Sequence, residues 1–326
     1  KCEHKNTVQP TNTNQTTKNE IIEVSCGLED NRVNEISKAV IFDRVSRFTV
    51  SKLGLPLNSK ILISQEDYNR QPFYGLNQLP SFVSPFSDEM MYELKFLKTY
   101  LNNYLKENLS LNQRRYYWIY DGIQIFLMMQ YADEYFPGMK MTGNVANLKI
   151  LKPYHFINLD FNQQYNYLYM LMARKNLDQP LNEPKNKLIK FNEQIASKYR
   201  AGLSLKYLDS YLGNDIVHKT IKEYIQENQY FGTNSRQFET VLLKNSPKDI
   251  NWFFRTVIET RDLIDYKFGK VTKTKDSLSV NIINKTGTNV PISLYHMKNN
   301  EVVHKSWITN ITSDSTIVIP RFDADK

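Results

Sequence analysis

The sequence predicts an α+β chain, a mainly helical body with one early β segment and a small β domain at its end. Three observations carry this. From about residue 87 to about residue 260, apolar side chains recur at helical spacing. Beyond about residue 270 the pattern changes to strict alternation, broken by turn residues. Before the helices, two short apolar runs read as strands.

Taken in order, residues 8–19 are polar and nearly featureless, and read as a long loop or tether. Ile21 to Val24 read as a strand, and Lys60 to Ser64 as a buried one. Between them, Val33 to Leu53 carry Ile36, Val40, Ile41, Val45 and Phe48 at helical spacing. Pro85 precedes the next helix, Ser87 can cap it, and Asp88 and Glu89 suit its positive first turn. Leu94, Leu97, Leu101 and Leu105 form its apolar stripe. A helix over Ile123 to Tyr135 follows and ends at Pro137-Gly138. Further helices are expected near 162–175, 187–212, 214–228, 235–244 and 247–260. The closing strands are Ser277 to Ile282, Pro291 to His296, Lys305 to Ile308 and Ser315 to Ile319. Asn284-Lys285-Thr286-Gly287, Asn299-Asn300 and Ser313-Asp314 separate them. That is fewer strands than the roughly seven of an immunoglobulin-like sandwich, so a truncated sandwich is expected.

Composition excludes several classes. The chain has 326 residues, 41% apolar and 23% charged, which suits a globular protein with room for two domains. No apolar run reaches the roughly 18 residues of a membrane span. It begins at Lys1 without an apolar targeting segment, as a mature or excised fragment would. The net charge of +8 is spread along the chain. Arg114-Arg115-Tyr116-Tyr117-Trp118 is the one tight basic-aromatic cluster, and no recognised motif accompanies it, so nucleic-acid binding is not expected. Cys2 and Cys26 can pair across the polar segment or remain free thiols. With 11 glycines there is no phosphate-cradling loop and no Gly-x-Ser-x-Gly elbow.

Asp121 stands out, a carboxylate at the head of the apolar run Ile123 to Met129. A carboxylate there needs a partner. A zinc ion shared with a histidine pair would be one, but of His4, His155, His218, His296 and His304 no two lie four apart.

Over residues 36–326 the chain resembles the gluzincin aminopeptidases, the family of aminopeptidase N. Tyr74-Gly75-Leu76-Asn77-Gln78 takes the place of the family's Gly-x-Met-Glu-Asn strand, which binds the substrate's amino terminus. Gly75, Leu76, Asn77 and Gln78 would bind substrate, with Asn77 at the glutamate position bringing an amide and no charge. Tyr92-Glu93-Leu94-Lys95-Phe96 is the counterpart of His-Glu-x-x-His: Glu93 matches the general base, and Tyr92 and Phe96 replace the histidines. Counting back from Asp121 by the family's spacing gives Lys98 to Asn102 instead, again without His or Glu. Trp118-Ile119-Tyr120-Asp121-Gly122 resembles Trp-Leu-x-Glu-Gly, with Asp121 at the third-ligand position. Ser197-Lys198-Tyr199-Arg200-Ala201-Gly202 resembles Val-Tyr-x-Lys-Gly, whose tyrosine supports the tetrahedral intermediate, a role that falls to Tyr199. Tyr207 to Gly213, Asp249-Ile250-Asn251-Trp252-Phe253-Phe254 and Ile264-Asp265-Tyr266 continue the likeness.

The resemblance implies the end of an amino-terminal β domain over 1–35, a gluzincin-like body over 36–268 and a partial β-sandwich over 269–326. It implies a catalytically silent member without zinc or another cofactor, whose cleft binds a peptide or protein partner. The alternative is an active zinc aminopeptidase with divergent ligands, His155 the best candidate. A third reading is a structural module whose cleft is filled by Tyr92, Phe96 and Tyr100. An extracytoplasmic setting would follow from exported relatives, and a Cys2–Cys26 bridge would fit it.

Overall fold

Alternation along Ile22, Val24 and Cys26, and again along Ile61 and Ile63, turns one face of a small sheet toward the interior and leaves Leu62 outside. The structure, a computed structural model, describes residues 2–7, 21–74, 85–143, 159–299 and 301–320. Strand β1 (Cys2–Thr7) is antiparallel to β2 (Ile21–Gly27), placing Cys2 opposite Cys26. Cys26 carries a buried free thiol 3.6 Å from the Tyr92 hydroxyl. β2 is parallel to β3 (Lys60–Ser64), and helix α1 (Glu35–Leu53) makes the crossover that parallel strands require. Asn34 caps α1 by accepting from the Ser37 amide at 2.8 Å. The core stripe of α1 is Ile41, Phe42, Val45 and Phe48, whereas Ile36 and Val40 of the expected stripe are exposed. The short α2 (Gln65–Arg70), capped by Ser64, has no apolar period to announce it.

The body is built on α3 (Asp88–Asn108), α4 (Tyr117–Tyr135), α5 (Gln163–Ala173), α6 (Ser197–Leu212), α7 (Ile216–Glu227) and α8 (Ser235–Asn245). Ser87 caps α3 as expected, and Leu94, Leu97, Leu101 and Leu105 are all buried. α4 begins six residues before Ile123, so Asp121 lies inside the helix and not at its head. The aromatic run Tyr117-Trp118 with Ile119 and Tyr120 is a weak helix former, but all four are buried, and packing overrides propensity. α4 is apolar around nearly its whole circumference, the mark of a central helix.

Two π-helical turns interrupt the later part, Asn192–Ala196, running into α6, and Phe253–Ile258. The closing strands are β4 (Tyr266–Lys273), β5 (Ser277–Asn284), β6 (Ile292–Lys298), β7 (Glu301–Ile308) and β8 (Ser315–Pro320). They form two sheets, β4-β5-β8 and β6-β7. Val280, Ile282 and Ile311 make a small core of their own, with Ile292 and Ile308 from the second sheet packed against it. β4 has no sequence signal of a strand, because most of its residues are exposed and leave no alternation to read. Trp307 of β7 sits edge-on to Tyr207 and Tyr211 of α6, and the Tyr207 hydroxyl donates to the Pro291 carbonyl. Among the described residues no helix is long and apolar enough to cross a membrane.

Candidate functional site

Two glycines let α4 and α6 approach closely. A Cβ on Gly122 would stand 3.2 Å from Ala201 Cβ, and one on Gly202 would lie only 2.6 Å from Ile125 Cβ. This crossing brings Asp121 of α4 within 4.0 Å of Lys198 of α6. α3 supplies Lys98, tied to α4 by two amide contacts: Gln124 Nε2 donates to the Lys98 carbonyl at 2.9 Å, and Lys98 Nζ donates to Gln124 Oε1 at 3.4 Å. Lys185 arrives from a 3-10 turn (Lys185–Lys187), its own amide donating to the Arg114 carbonyl at 2.8 Å.

Asp121 is 1% exposed. Its Oδ2 lies 3.3 Å from Lys185 Nζ and 4.0 Å from Lys198 Nζ. Neither approach is aligned as a hydrogen bond, so this oxygen is charge-compensated but has no hydrogen-bond donor. Lys98 and Lys198 are 7% and 9% exposed. Burial, followed by the like charges of Lys198 and Lys185, pushes Lys98 down to about 7 against the pull of Asp121. Burial also lowers Lys198, with Asp121 opposing. Beside them opens a cavity of about 160 Å³, walled by Phe73, Tyr74, Ile125, Ile195 and Tyr199 and by Lys98 and Lys198. Tyr199 packs edge-on against Tyr165 at 4.8 Å, and burial raises its hydroxyl well above the usual range.

The other candidate residues lie elsewhere. Glu93 is buried in the core, held by Arg44 (Nη2 to Oε2 3.0 Å, Nε to Oε1 2.9 Å) and by the Tyr131 hydroxyl, which donates to it. Tyr92 and Phe96 pack toward Phe42 of α1, Phe96 stacking on it at 4.4 Å. They and Tyr100 are not in the wall of the cavity beside Tyr199. From α3, Lys98 reaches the Asp121 neighbourhood; it is the first residue of the Lys98 to Asn102 segment found by counting back from Asp121. Gly75, Leu76, Asn77, Gln78 and His155 lie outside the described residues.

The lysines are what reading for metal ligands overlooked. Lys98 heads the segment reached by counting from Asp121, and Lys198 adjoins the tyrosine of its motif; Lys185 has no local signal. The set does not suit zinc, which takes deprotonated or neutral N, S and O ligands. Here one carboxylate is met by two amines, with Lys98 acting on it at longer range, and among the described residues no three His, Cys, Asp or Glu side chains gather as a metal site would need.

A second cavity, about 620 Å³, lies between α5, α6 and the Phe253–Ile258 turn. Arg200 in its wall is already satisfied by the carbonyls of Gln179, Val257 and Thr260 and by Asp178 at 3.6 Å.

No family model and no curated protein sequence matches the chain. Among solved structures it is similar to aminopeptidase A of Legionella pneumophila, crystallised with aspartic acid: TM-score 0.61 and 12% identity over 98% of this chain and 36% of that one. It is also similar to a point mutant of the M1 zinc metallopeptidase of Deinococcus radiodurans: TM-score 0.50 and 12% identity over 81% of this chain and 53% of that one. The chain thus spans little more than a third of the one and about half of the other. At such identity the likeness is one of fold. The chain carries the fold of the M1 zinc metallopeptidases, the gluzincin aminopeptidases.

Proposed function

We propose that this chain is an aminopeptidase-like pseudo-enzyme that has lost zinc and peptidase activity, and whose cleft binds a peptide or protein partner without cutting it. The observation that carries the reading is the pairing of Asp121 with Lys185 and Lys198, with Lys98 in the same electrostatic neighbourhood. Metal-assisted hydrolysis needs a Lewis acid that polarises the carbonyl and activates water. Ammonium groups 3.3 and 4.0 Å from the Asp121 carboxylate compete with a divalent cation for it. Glu93, the general base by resemblance, is committed to Arg44 and Tyr131. Tyr199 remains at the cavity as a binding group. Gly75, Leu76, Asn77 and Gln78 belong to this reading as the strand beside the ligand.

The reading also takes 1–35 as amino-terminal β structure, 36–268 as the gluzincin-like body and 269–326 as an immunoglobulin-like β-sandwich unit. The two sheets around Val280, Ile282 and Ile311 support the last. An extracytoplasmic setting goes with it, and the register of β1 on β2 suits a Cys2–Cys26 bridge there.

The test is metal content by plasma mass spectrometry on protein purified without a metal-affinity column, dialysed against excess zinc and desalted. Less than about a tenth of an equivalent is expected, since zinc sites bind tightly, together with no aminopeptidase turnover above the blank. One equivalent would overturn the proposal and direct mutation to Asp121, Glu93 and His155.

A further inference from the structure

The cavity beside Tyr199 has an unbalanced charge. Arg70, Lys98 and Lys198 line it, and among the described residues no acidic side chain does. Arg70 reaches Glu66 and Asp67 at the surface, at 3.8 and 4.0 Å. The two lysines are more than nine-tenths buried, and each has a single long amide contact, Lys98 to Gln124 at 3.4 Å and Lys198 to Gln71 at 3.5 Å. Asp121 sits behind them and is shared with Lys185; Glu193, near Lys198, pairs with Lys190 at 3.5 Å.

Buried ammonium groups with so little compensation are costly unless a counter-charge arrives. A substrate amine would add a further positive charge to this cavity, whereas a carboxylate would supply the missing negative one. The walls contributed by Phe73, Tyr74, Ile125 and Ile195 are apolar and suit the hydrocarbon of the residue that bears it.

We propose that this cavity is an anion site, taking a carboxylate of a peptide ligand against Lys98 and Lys198. The inference rests on the reading of the cleft as a zinc-free binding site, and names the class of ligand. The carboxylate can be a chain terminus or an Asp or Glu side chain, and the cavity asks only for the charge and an apolar neighbour.

The test is calorimetric titration of the whole chain with four short peptides. They are an N-acetylated peptide ending in phenylalanine with a free carboxylate; its amide; an N-acetylated amide carrying an internal Asp-Phe pair; and a peptide with a free amine and an amidated end. Binding of the first, weakened at least tenfold in its amide, or of the third, weakened at least tenfold in an added Asp→Asn control, supports the proposal and identifies the source of the carboxylate. Lys98→Gln and Lys198→Gln should each weaken that binding at least tenfold, while Lys198→Arg should retain it. Melting curves verify that each variant folds. Preference for the free amine, unchanged by the lysine variants, overturns the anion site and leaves the zinc-free cleft standing. If none of the four binds, the anion site falls, and zinc content alone decides the reading of the cleft as zinc-free.

Discussion

Glu93 and Asp121 are the two most deeply buried carboxylates among the described residues, and their surroundings differ in kind. Glu93, on α3, has one guanidinium gripping both oxygens and a tyrosine hydroxyl donating as well. Its charge and its hydrogen bonds are answered together, as in a structural ion pair. Asp121, on α4, has amines at 3.3 and 4.0 Å and no aligned donor on Oδ2. Its surroundings hold more positive than negative charge, and they border a cavity. The Glu93 carboxylate is enclosed by its partners, whereas Asp121 is left open beside a cavity, and the proposed binding site lies at the second of these regions.

The largest effect falls on the Glu93–Arg44 pair. Arg44→Ala leaves the Glu93 carboxylate without its cation and should destabilise the protein by about 3 kcal/mol, near the low end for a broken buried pair because Arg44 is partly exposed. Urea unfolding at neutral pH measures this; a loss under about 0.5 kcal/mol would mean that Glu93 is held by Tyr131 alone.

The next effect falls on the geometry of the open region. Gly202→Ala places a methyl group against Ile125 and should cost about 2 kcal/mol by forcing α4 and α6 apart. Asp121 and Lys198 would separate with them, so peptide binding at the cavity should fall even where the variant remains folded. Unchanged binding would show that the crossing does not set the site.

The smallest effect carries the opposite sign. Lys98→Met removes a buried charge and should stabilise by about 1 kcal/mol at pH 6. In the folded state Lys98 is depressed from 10.5 to about 7, so the unfolded chain binds more protons between those values and stability rises with pH across that window. The gain from Lys98→Met should therefore be full below about pH 7 and vanish toward pH 10. Glu93 behaves inversely: burial raises it above 4.5, so its contribution falls as pH climbs through the range just above that value. Unfolding midpoints at pH 5, 6, 8 and 10 for both chains separate the two groups.

Much of the helical body was legible, because buried leucines on α3 keep a strict period and Ser87 announces its start. β4 was not, because its order comes from pairing with β5 while its side chains face solvent. Asp121 and Tyr199 could be singled out from motifs, and the structure brings their helices together. The lysines could not, since lysine on a helix is ordinarily a solvated residue and only the crossing of α3, α4 and α6 buries these. Glu93 could be found but not understood, because its partner Arg44 lies 49 residues away on α1.

The π-helical turn at Asn192–Ala196 determines the phase of everything after it. A turn of this kind closes its hydrogen bonds over one residue more than an α-helical turn, and each residue of an α-helix advances the side chains by about 100°. Deleting a single residue there would swing Lys198 and Tyr199 about the axis of α6 and bring other side chains to face the cavity. The chemistry of the cleft is thus indexed by a count of backbone residues upstream of it, and an insertion or deletion in that turn can rewrite the cavity while both residues stay in the sequence.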